Sequence, residues 1–304
     1  MSSILSIGTV AFDSIETPFG KADHVLGGSA TYITLAAKHF VADVGLVAVV
    51  GDDFPEEFLQ VFRDHRVNTE GLQVDTLGKT FSWGGKYHFD LNQRDTLWTD
   101  LNVLATFEPV VPEAYRRPSV VCLGNLAPNV QLSVIDQLEN APIILCDTMN
   151  FWIDQTPDAL KEVIGKIDVL LVNDSEAREL TGESNLVKAA RAIQTMGPQT
   201  VCIKKGEHGA LLFAEGAIFS APAYPLEDIF DPTGAGDTFM GGMAGYLASR
   251  PSPTIEDYKR GIIMGSALAS FTVEAFGTDR LKTVTSEVLA ERVTAFDRLT
   301  RVTM

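Results

Sequence analysis

The chain has 304 residues, of which 45% are hydrophobic and 21% are charged, and these values exclude a mainly disordered or low-complexity protein. Lys and Arg number 24 while Asp and Glu number 40, and the resulting net charge of −16 disfavours nucleic acid and membrane surfaces as partners. The sequence contains no recognisable signal peptide and no long apolar segment, so we expect a cytoplasmic protein. Its three widely spaced cysteines are expected to be buried thiols.

Short apolar runs alternate along the chain with segments of helical periodicity. Seven apolar runs predict strands at 2–9, 44–51, 119–125, 142–148, 169–174, 200–206 and 210–216. Helices are predicted at 29–41, 54–66, 128–139, 157–165, 175–181, 185–196, 235–249 and 256–275. Because the strand runs are continuously apolar, both faces of the sheet should be covered. The pattern predicts an α/β fold, a doubly wound and mainly parallel sheet flanked by helices, in one domain over residues 1–304.

One segment departs from this alternation. Residues 78–105 are rich in aromatic side chains and carry Gly84 and Gly85, which is typical of a hairpin, and residues 11–26 are expected to add a strand to it. We interpret the two segments as a small β-rich lid, the alternative being an edge meander without a functional role. The aromatic residues could stack on a nucleobase or pack on one another, and packing is favoured. The exposed strand edge of the lid also makes a homodimer conceivable.

The segment Asp231-Pro-Thr-Gly-Ala-Gly-Asp237 carries the strongest chemical signal. Pro232 and the glycines predict a turn, and a helix is expected to begin near Ala235. The free N–H groups of that helix would form an anion cradle, in which Asp237 could act as a general base. Asp237 as a simple helix cap is the alternative. P-loop, dinucleotide, serine-hydrolase and zinc-protease patterns are absent from the sequence.

Taken together, four motifs resemble the ribokinase-like carbohydrate kinases of the PfkB family. The resemblance rests on DPTGAGDTFMGG near the C-terminus, on the glycine pair that opens a helix, on an N-x-x-E motif after a strand and on a glycine-rich turn. In this sequence the last three are Gly27-Gly28-Ser29-Ala30, Asn173-Asp174-Ser175-Glu176 and Lys204-Lys205-Gly206-Glu207-His208-Gly209. The motifs follow one another in the family's order, and the resemblance covers residues 2–285.

The resemblance implies ATP-dependent phosphoryl transfer to a hydroxyl group of a sugar or nucleoside. Asp237 would be the catalytic base, and Gly234, Ala235 and Gly236 would form the anion hole. Asn173 and Glu176 would lie near the phosphates and Mg²⁺, with Glu176 acting through water. The lid would close over the substrate and exclude water.

Other positions follow from the same resemblance. The implied nucleotide-binding residues are Lys205, Gly206, Gly209 and Ser266, where Ser266 takes the place of a histidine found in ribokinases. The implied substrate-binding residues are Asp13, Gly28, Ser29 and Tyr32, where Tyr32 replaces the family's sugar-binding asparagine and indicates a different or larger acceptor. Asp231 and Thr233 match positions that bind a monovalent cation such as K⁺ in some members.

The acceptor itself stays open at this level. An inosine-, guanosine- or cytidine-type nucleoside, a free sugar and a sugar phosphate are the candidates, and Lys79, Lys86 and Arg94 are available near the lid for an acceptor phosphate. A non-catalytic nucleotide-binding regulator is the alternative from another class, but the base and the anion turn are both intact.

Overall fold

The computed structural model describes residues 2–301 and contains two sheets. The strands are β1 (Ser3–Ile7), β2 (Ala11–Thr17), β3 (Gly20–Gly27), β4 (Asp43–Gly51), β5 (Asn68–Asp75), β6 (Ser82–Tyr87), β7 (Arg94–Asp100), β8 (Val120–Leu123), β9 (Ile143–Asp147), β10 (Val169–Asn173), β11 (Thr200–Lys204), β12 (Ala210–Ala214) and β13 (Ala217–Ala221). The helices are α1 (Ser29–Ala37), α2 (Glu56–Asp64), α3 (Pro128–Ile135), α4 (Asn150–Gln155), α5 (Pro157–Ile164), α6 (Asp174–Thr181), α7 (Leu186–Met196), α8 (Ala235–Ala248), α9 (Ile255–Thr272) and α10 (Ser286–Thr300).

The large sheet has nine strands in the order β13-β12-β11-β10-β9-β8-β1-β4-β5. The seven strands β11, β10, β9, β8, β1, β4 and β5 pair in parallel with their neighbours. Strands β12 and β13 add an antiparallel edge next to β11. One hydrophobic core lies between the sheet and α3, α5 and α7, and a second lies between the sheet and α1, α8 and α9. The predicted α/β fold with helices on both faces is therefore confirmed.

All seven predicted strands and all eight predicted helices are present, with ends displaced by a few residues. The sequence analysis missed the two edge strands β5 and β13, because β5 is largely polar and β13 is a five-residue strand with only a short apolar run. It also missed the short helix α4 and the terminal helix α10. The three cysteines, Cys122, Cys146 and Cys202, are free and buried as expected.

The small sheet has the strand order β3-β2-β6-β7 and is built from the two segments that interrupt the α/β alternation. Its double glycine makes room for two indole rings: a Cβ atom at Gly84 would lie 2.5 Å from the Trp98 ring, and one at Gly85 would lie 2.0 Å from the Trp83 ring. Tyr87 is buried, whereas Phe89 is 85% exposed. The prediction that the aromatic residues pack on one another is thus wrong for Phe89.

Parallel strands place their carboxyl ends at one edge of a sheet, and polar residues collect there. Strands β9, β10 and β11 end in Asp147, Asn173 and Lys204, and the small sheet follows the end of β1 on the same side. Ligands of open α/β sheets bind beyond this edge. No helix within residues 2–301 has the length and apolarity needed to cross a bilayer.

Candidate active site

The turn before α8 has the geometry of an anion-binding site. Gly234 is the residue before the helix and has a left-handed backbone with φ of 74°. Among residues 2–301, no acceptor is found for the amide N–H groups of Gly234 and Gly236. Free N–H groups at the start of a 14-residue helix combine with its dipole to favour a bound anion. The turn can therefore hold a phosphoryl group without any side chain.

Asp237 is the third residue of α8 and lies next to these free amides. Burial, and then the negative charge of Asp147, raise the pKa of its carboxyl group to about 7, against the opposing effects of Lys204 and Arg94. A carboxylate with a pKa near neutrality can accept a proton from a hydroxyl group more effectively than an ordinary aspartate. The site thus combines a carboxyl group that can accept a proton near neutral pH with an anion-binding turn.

Asp231 stabilises the turn through hydrogen bonds to two backbone amides. Its Oδ1 atom accepts a hydrogen bond of 2.8 Å from the amide of Thr233, and its Oδ2 atom accepts one of 2.9 Å from the amide of Gly277. The residue is fully buried. These contacts give Asp231 a structural role in holding the turn.

Asp13 lies on β2 with 4% of its surface exposed, against the glycine pair that precedes α1. A Cβ atom at Gly27 would lie 1.9 Å from its Oδ2 atom, so only glycine fits there. Burial and the charge of Asp231 raise the pKa of Asp13 to about 7, and a hydrogen bond from the Gly28 amide opposes the rise. Asp13 is therefore a second enclosed carboxyl group near Asp237.

Ser29 and Tyr32, the other two predicted substrate residues, are both buried. The Ser29 hydroxyl accepts a hydrogen bond of 3.1 Å from the amide of Thr9 and lies 3.3 Å from the Thr9 hydroxyl, so it fixes the turn between β1 and β2. The Tyr32 ring packs against Gly234 and does not offer an open aromatic face. Its hydroxyl has no hydrogen-bond partner within residues 2–301, and burial and Asp13 raise its pKa, so it stays a proton donor.

Asn173 and Glu176 form a capping box at the start of α6. The Asn173 side chain accepts a hydrogen bond of 2.8 Å from the Glu176 amide, and the Glu176 carboxylate accepts one of 2.7 Å from the Asn173 amide. Burial and the charge of Asp147 raise the pKa of Glu176 to about 7. The motif follows strand β10, as predicted, and the role of the two residues near the phosphates and Mg²⁺ stays a prediction.

Two residues of the site were given no role by the sequence analysis, although Lys204 begins one of its motifs. Lys204 and Asp147 form an ion pair with an Nζ–Oδ2 distance of 2.6 Å, and their side chains are only 17% and 10% exposed. A third, Arg94 on β7, was noted only as a candidate for an acceptor phosphate, yet it acts on the pKa values of Asp13 and Asp237. Asp147 and Lys204 each end a buried strand, a signal that the sequence did contain.

A cavity of about 720 Å³ opens beside the turn. Gly206, Gly209 and Ser266, three of the six residues predicted to bind the nucleotide and its magnesium ion, line it together with Gly236. Gly209 has φ of 80°, and a Cβ atom there would lie 2.0 Å from the carbonyl oxygen of Ala221. Lys205 does not line the cavity, and its amide donates a hydrogen bond of 2.8 Å to the Gly209 carbonyl.

The small sheet contacts the turn directly. The Tyr87 hydroxyl on β6 lies 3.1 Å from the Thr233 hydroxyl. Tyr87 and Arg94 are also register partners in the antiparallel pairing of β6 and β7, so Arg94 lies on the neighbouring strand next to Tyr87. The guanidinium carbon of Arg94 lies 5.3 Å from the centre of the Trp83 ring. The small sheet therefore contacts the anion-binding turn through Tyr87.

The donor set suits a magnesium ion that arrives with a nucleotide. Within residues 2–301, no group of three or more His, Cys, Asp or Glu side chains is arranged to hold a metal by itself. Mg²⁺ commonly binds through one or two carboxylates, water and substrate phosphates. Glu176, whose carboxylate is already fixed by the Asn173 amide, fits a role through water.

A buried carboxyl group with a pKa near 7 beside an anion-binding turn, at the edge of a doubly wound sheet, is the arrangement expected of a phosphotransferase site. The sequence profile of the pfkB family carbohydrate kinases matches residues 1–284, so the chain belongs to the PfkB family. The cytidine kinase of Thermococcus kodakarensis is 30% identical over 257 residues, covering 83% of this chain and 91% of that protein. The chain is thus a phosphotransferase for an alcohol group of a sugar or nucleoside.

Solved structures show the same fold. A putative ribokinase II from E. coli in complex with ATP and Mg²⁺ superposes with a TM-score of 0.80 at 18% identity, covering 97% of this chain and 100% of that chain. The Burkholderia thailandensis nucleoside kinase in complex with inosine has a TM-score of 0.78 at 18% identity, with 97% of each chain covered.

Proposed function

We propose that this protein is an ATP-dependent kinase that phosphorylates a hydroxyl group of a nucleoside's ribose, with Asp237 as the general base. The single observation that carries the proposal is the position of a carboxyl group with a pKa of about 7 next to the free amides of the 234–236 turn. In this arrangement Asp237 accepts the proton of the attacking hydroxyl. The amides of the turn hold the transferring phosphoryl group.

The 720 Å³ cavity is the proposed nucleotide site. Its opening beside Gly236 would place the base and ribose of ATP against Gly206, Gly209 and Ser266, with the phosphates directed at the turn. Asn173 and Glu176 would hold Mg²⁺ through water, and the metal would neutralise phosphate charge. Lys205 shapes this pocket through its hydrogen bond to Gly209, so we assign it an indirect role.

The proposed acceptor site lies between Asp13 and the turn, under the small sheet. Asp13 can accept hydrogen bonds from two neighbouring hydroxyl groups, and the unpartnered Tyr32 hydroxyl can donate one to an acceptor oxygen. Gly28 would let the acceptor approach the backbone, whereas Ser29 is engaged with Thr9. The small sheet would act as a lid that excludes water from the phosphoryl group.

A nucleoside is preferred as the acceptor because of the similarity to a cytidine kinase over most of both chains. A sugar phosphate is the second candidate, since Arg94 acts on the pKa values of Asp13, Glu176 and Asp237 and is a cation that could meet an acceptor phosphate.

The predicted K⁺ requirement and the homodimer through the lid stay predictions. Activity in potassium against sodium salts, and light scattering, are the respective measurements.

The test is an ADP-release assay with ATP and Mg²⁺ on a panel of nucleosides, free sugars and sugar phosphates. We expect one nucleoside to give the highest kcat/KM, and Asp237→Asn to fold normally but lose ~100-fold or more in kcat with it. A sugar phosphate as the best substrate would replace the proposed acceptor. Wild-type kcat in Asp237→Asn would overturn the assignment of the base.

A further inference from the structure

The ion pair between Lys204 and Asp147 lies at the carboxyl edge of the large sheet. Asp147 ends β9 and Lys204 ends β11, on either side of β10, so their side chains meet across the carboxyl end of β10. Both side chains are largely buried, and the 2.6 Å distance is that of a charge-assisted hydrogen bond. Buried ion pairs cost desolvation and often add little stability, so a structural role alone is a weak explanation for this pair.

The position of the ammonium group relates it to the anion-binding turn. A Cβ atom at Gly236 would lie 3.1 Å from the Lys204 Nζ atom, so the ammonium group lies beside the backbone of the turn. The same lysine lines the 720 Å³ cavity. Lys204 is therefore found where that cavity meets the free amide of Gly236.

Surrounding carboxyl groups keep this lysine charged. Burial acts to lower the pKa of Lys204, but Asp147, Glu176 and Asp237 raise it above its ordinary value. The negative charges of three carboxyl groups thus act on one cation, at a place where a triphosphate would add about four more. A fixed ammonium group would offset part of this charge and would gain strength from the low dielectric of the site.

We propose that Lys204 is a catalytic residue that contacts the γ-phosphoryl group of the nucleotide beside the Gly236 amide, and that Asp147 is the positioning residue that holds it there. In the transfer, the bond from the γ-phosphorus to the β–γ bridging oxygen breaks and that oxygen leaves with ADP. The acceptor oxygen bonds to the γ-phosphorus and its proton passes to Asp237. Lys204 keeps its protons throughout. This assignment rests on the proposed function.

Binding measurements without an acceptor test the assignment. Isothermal titration of the full-length protein with Mg²⁺ compares ADP with adenylyl imidodiphosphate, an ATP analogue that retains a γ-phosphoryl group. For Lys204→Met we expect the affinity for the analogue to fall by ~10- to ~100-fold, the size of a charge-assisted hydrogen bond, while the affinity for ADP changes by less than ~3-fold. Equal losses for both nucleotides, or no loss, would overturn the assignment.

Further variants test whether the position of the Lys204 ammonium group matters in addition to its positive charge. Asp147→Asn should lose part of the preference for the analogue, a change that mere loosening of the fold would not produce, and Lys204→Arg should recover part of it. Lys166→Met removes a surface lysine that pairs with Glu162 at 3.2 Å, and it should leave both affinities unchanged. If Lys204→Met does not fold, the double variant Lys204→Met/Asp147→Asn removes both charges and is subject to the same comparison.

The outcomes also distinguish this inference from the proposed function. A wild-type protein that binds neither nucleotide overturns the proposed function and this assignment with it. A wild-type protein that binds both, with a Lys204→Met variant that retains the preference for the analogue, overturns only the role of Lys204.

Discussion

The ring of Tyr32 lies against the backbone of Gly234, so that a Cβ atom at Gly234 would come within 2.3 Å of the ring's Cε2 atom. Tyr32 belongs to α1, which follows the glycine pair next to Asp13, and Gly234 begins the anion-binding turn. The ring is 1% exposed and packs in a hydrophobic cluster with α9, so it cannot move aside easily. This contact joins the proposed acceptor site to the turn.

We therefore expect Gly234→Ala to lower kcat by ~10-fold or more, because the added methyl group must displace either the Tyr32 ring or the turn. Gly216→Ala is a matched control: Gly216 has φ of 76°, close to the 74° of Gly234, but nothing lies within 4 Å of its Cβ position. Both variants should lose ~1 kcal/mol through backbone strain. If steady-state kinetics showed equal effects of the two substitutions on kcat, the contact with Tyr32 would be irrelevant to turnover.

The rate should rise with pH through neutrality. As the proposed base, Asp237 must be ionised to accept a proton, and burial together with Asp147 raises its pKa to about 7. We expect kcat/KM for ATP to increase from about pH 5.5 to a plateau above about pH 8. Because Asp237 interacts with neighbouring carboxyl groups, the apparent midpoint of this rise describes the interacting groups together. In Asp147→Asn one negative charge is removed, and the midpoint should move to lower pH. A profile that is flat or declining across this range would contradict the assignment of a carboxyl base.

The raised pKa of Asp237 also makes the stability of the folded protein depend on pH. The folded-state pKa of Asp237, about 7, lies above its ordinary value of 3.8, so ionisation is disfavoured in the folded protein. Below about pH 4 Asp237 is protonated in both the folded and the unfolded protein, and the folded state has its full stability. As the pH rises towards 7, the unfolded protein ionises this group first, and part of that stability is lost. Asp237→Asn should therefore have the higher free energy of unfolding at pH 8, by ~1–3 kcal/mol, and a much smaller advantage near pH 4.

Urea unfolding at the two pH values measures this difference. The exposed Asp158 on α5 provides a control for the change in net charge, through Asp158→Asn. An advantage of Asp237→Asn that does not depend on pH, or that matches the control, would mean that Asp237 is not held in an unfavourable ionised state.

The contact between the small sheet and the turn should limit wasteful hydrolysis. The Tyr87 hydroxyl lies 3.1 Å from the Thr233 hydroxyl, and this hydrogen bond is a direct side-chain link between β6 and the turn. We expect Tyr87→Phe to raise ATP hydrolysis in the absence of acceptor and to raise the KM of the acceptor by a few-fold, because water enters more easily. Tyr258→Phe changes a half-buried tyrosine on α9 and serves as the control. Unchanged hydrolysis and KM in Tyr87→Phe would exclude this role.

Much of the site could be predicted from local sequence. The turn before α8, the capping box of Asn173 and Glu176, and the glycines at 206 and 209 are each specified within a few neighbouring residues. The role predicted for Ser29 stays a prediction, and the partner of its hydroxyl in this structure, Thr9, lies outside helix α1 and was not predicted. Local patterns identify the turn but not the side chains that reach it from elsewhere.

The amino-acid sequence by itself determined the alternation of strands and helices, the order of the motifs and the family, because these depend on hydrophobic periodicity and on residues adjacent in the chain. Only the tertiary structure decided that Lys204 meets Asp147, that Tyr32 underlies Gly234 and that Arg94 acts on Asp13 and Asp237. These residues belong to separate strands and helices, and their distances depend on how the sheet and its helices pack. The pKa values of the carboxyl groups follow from the same packing, since burial and neighbouring charges set them.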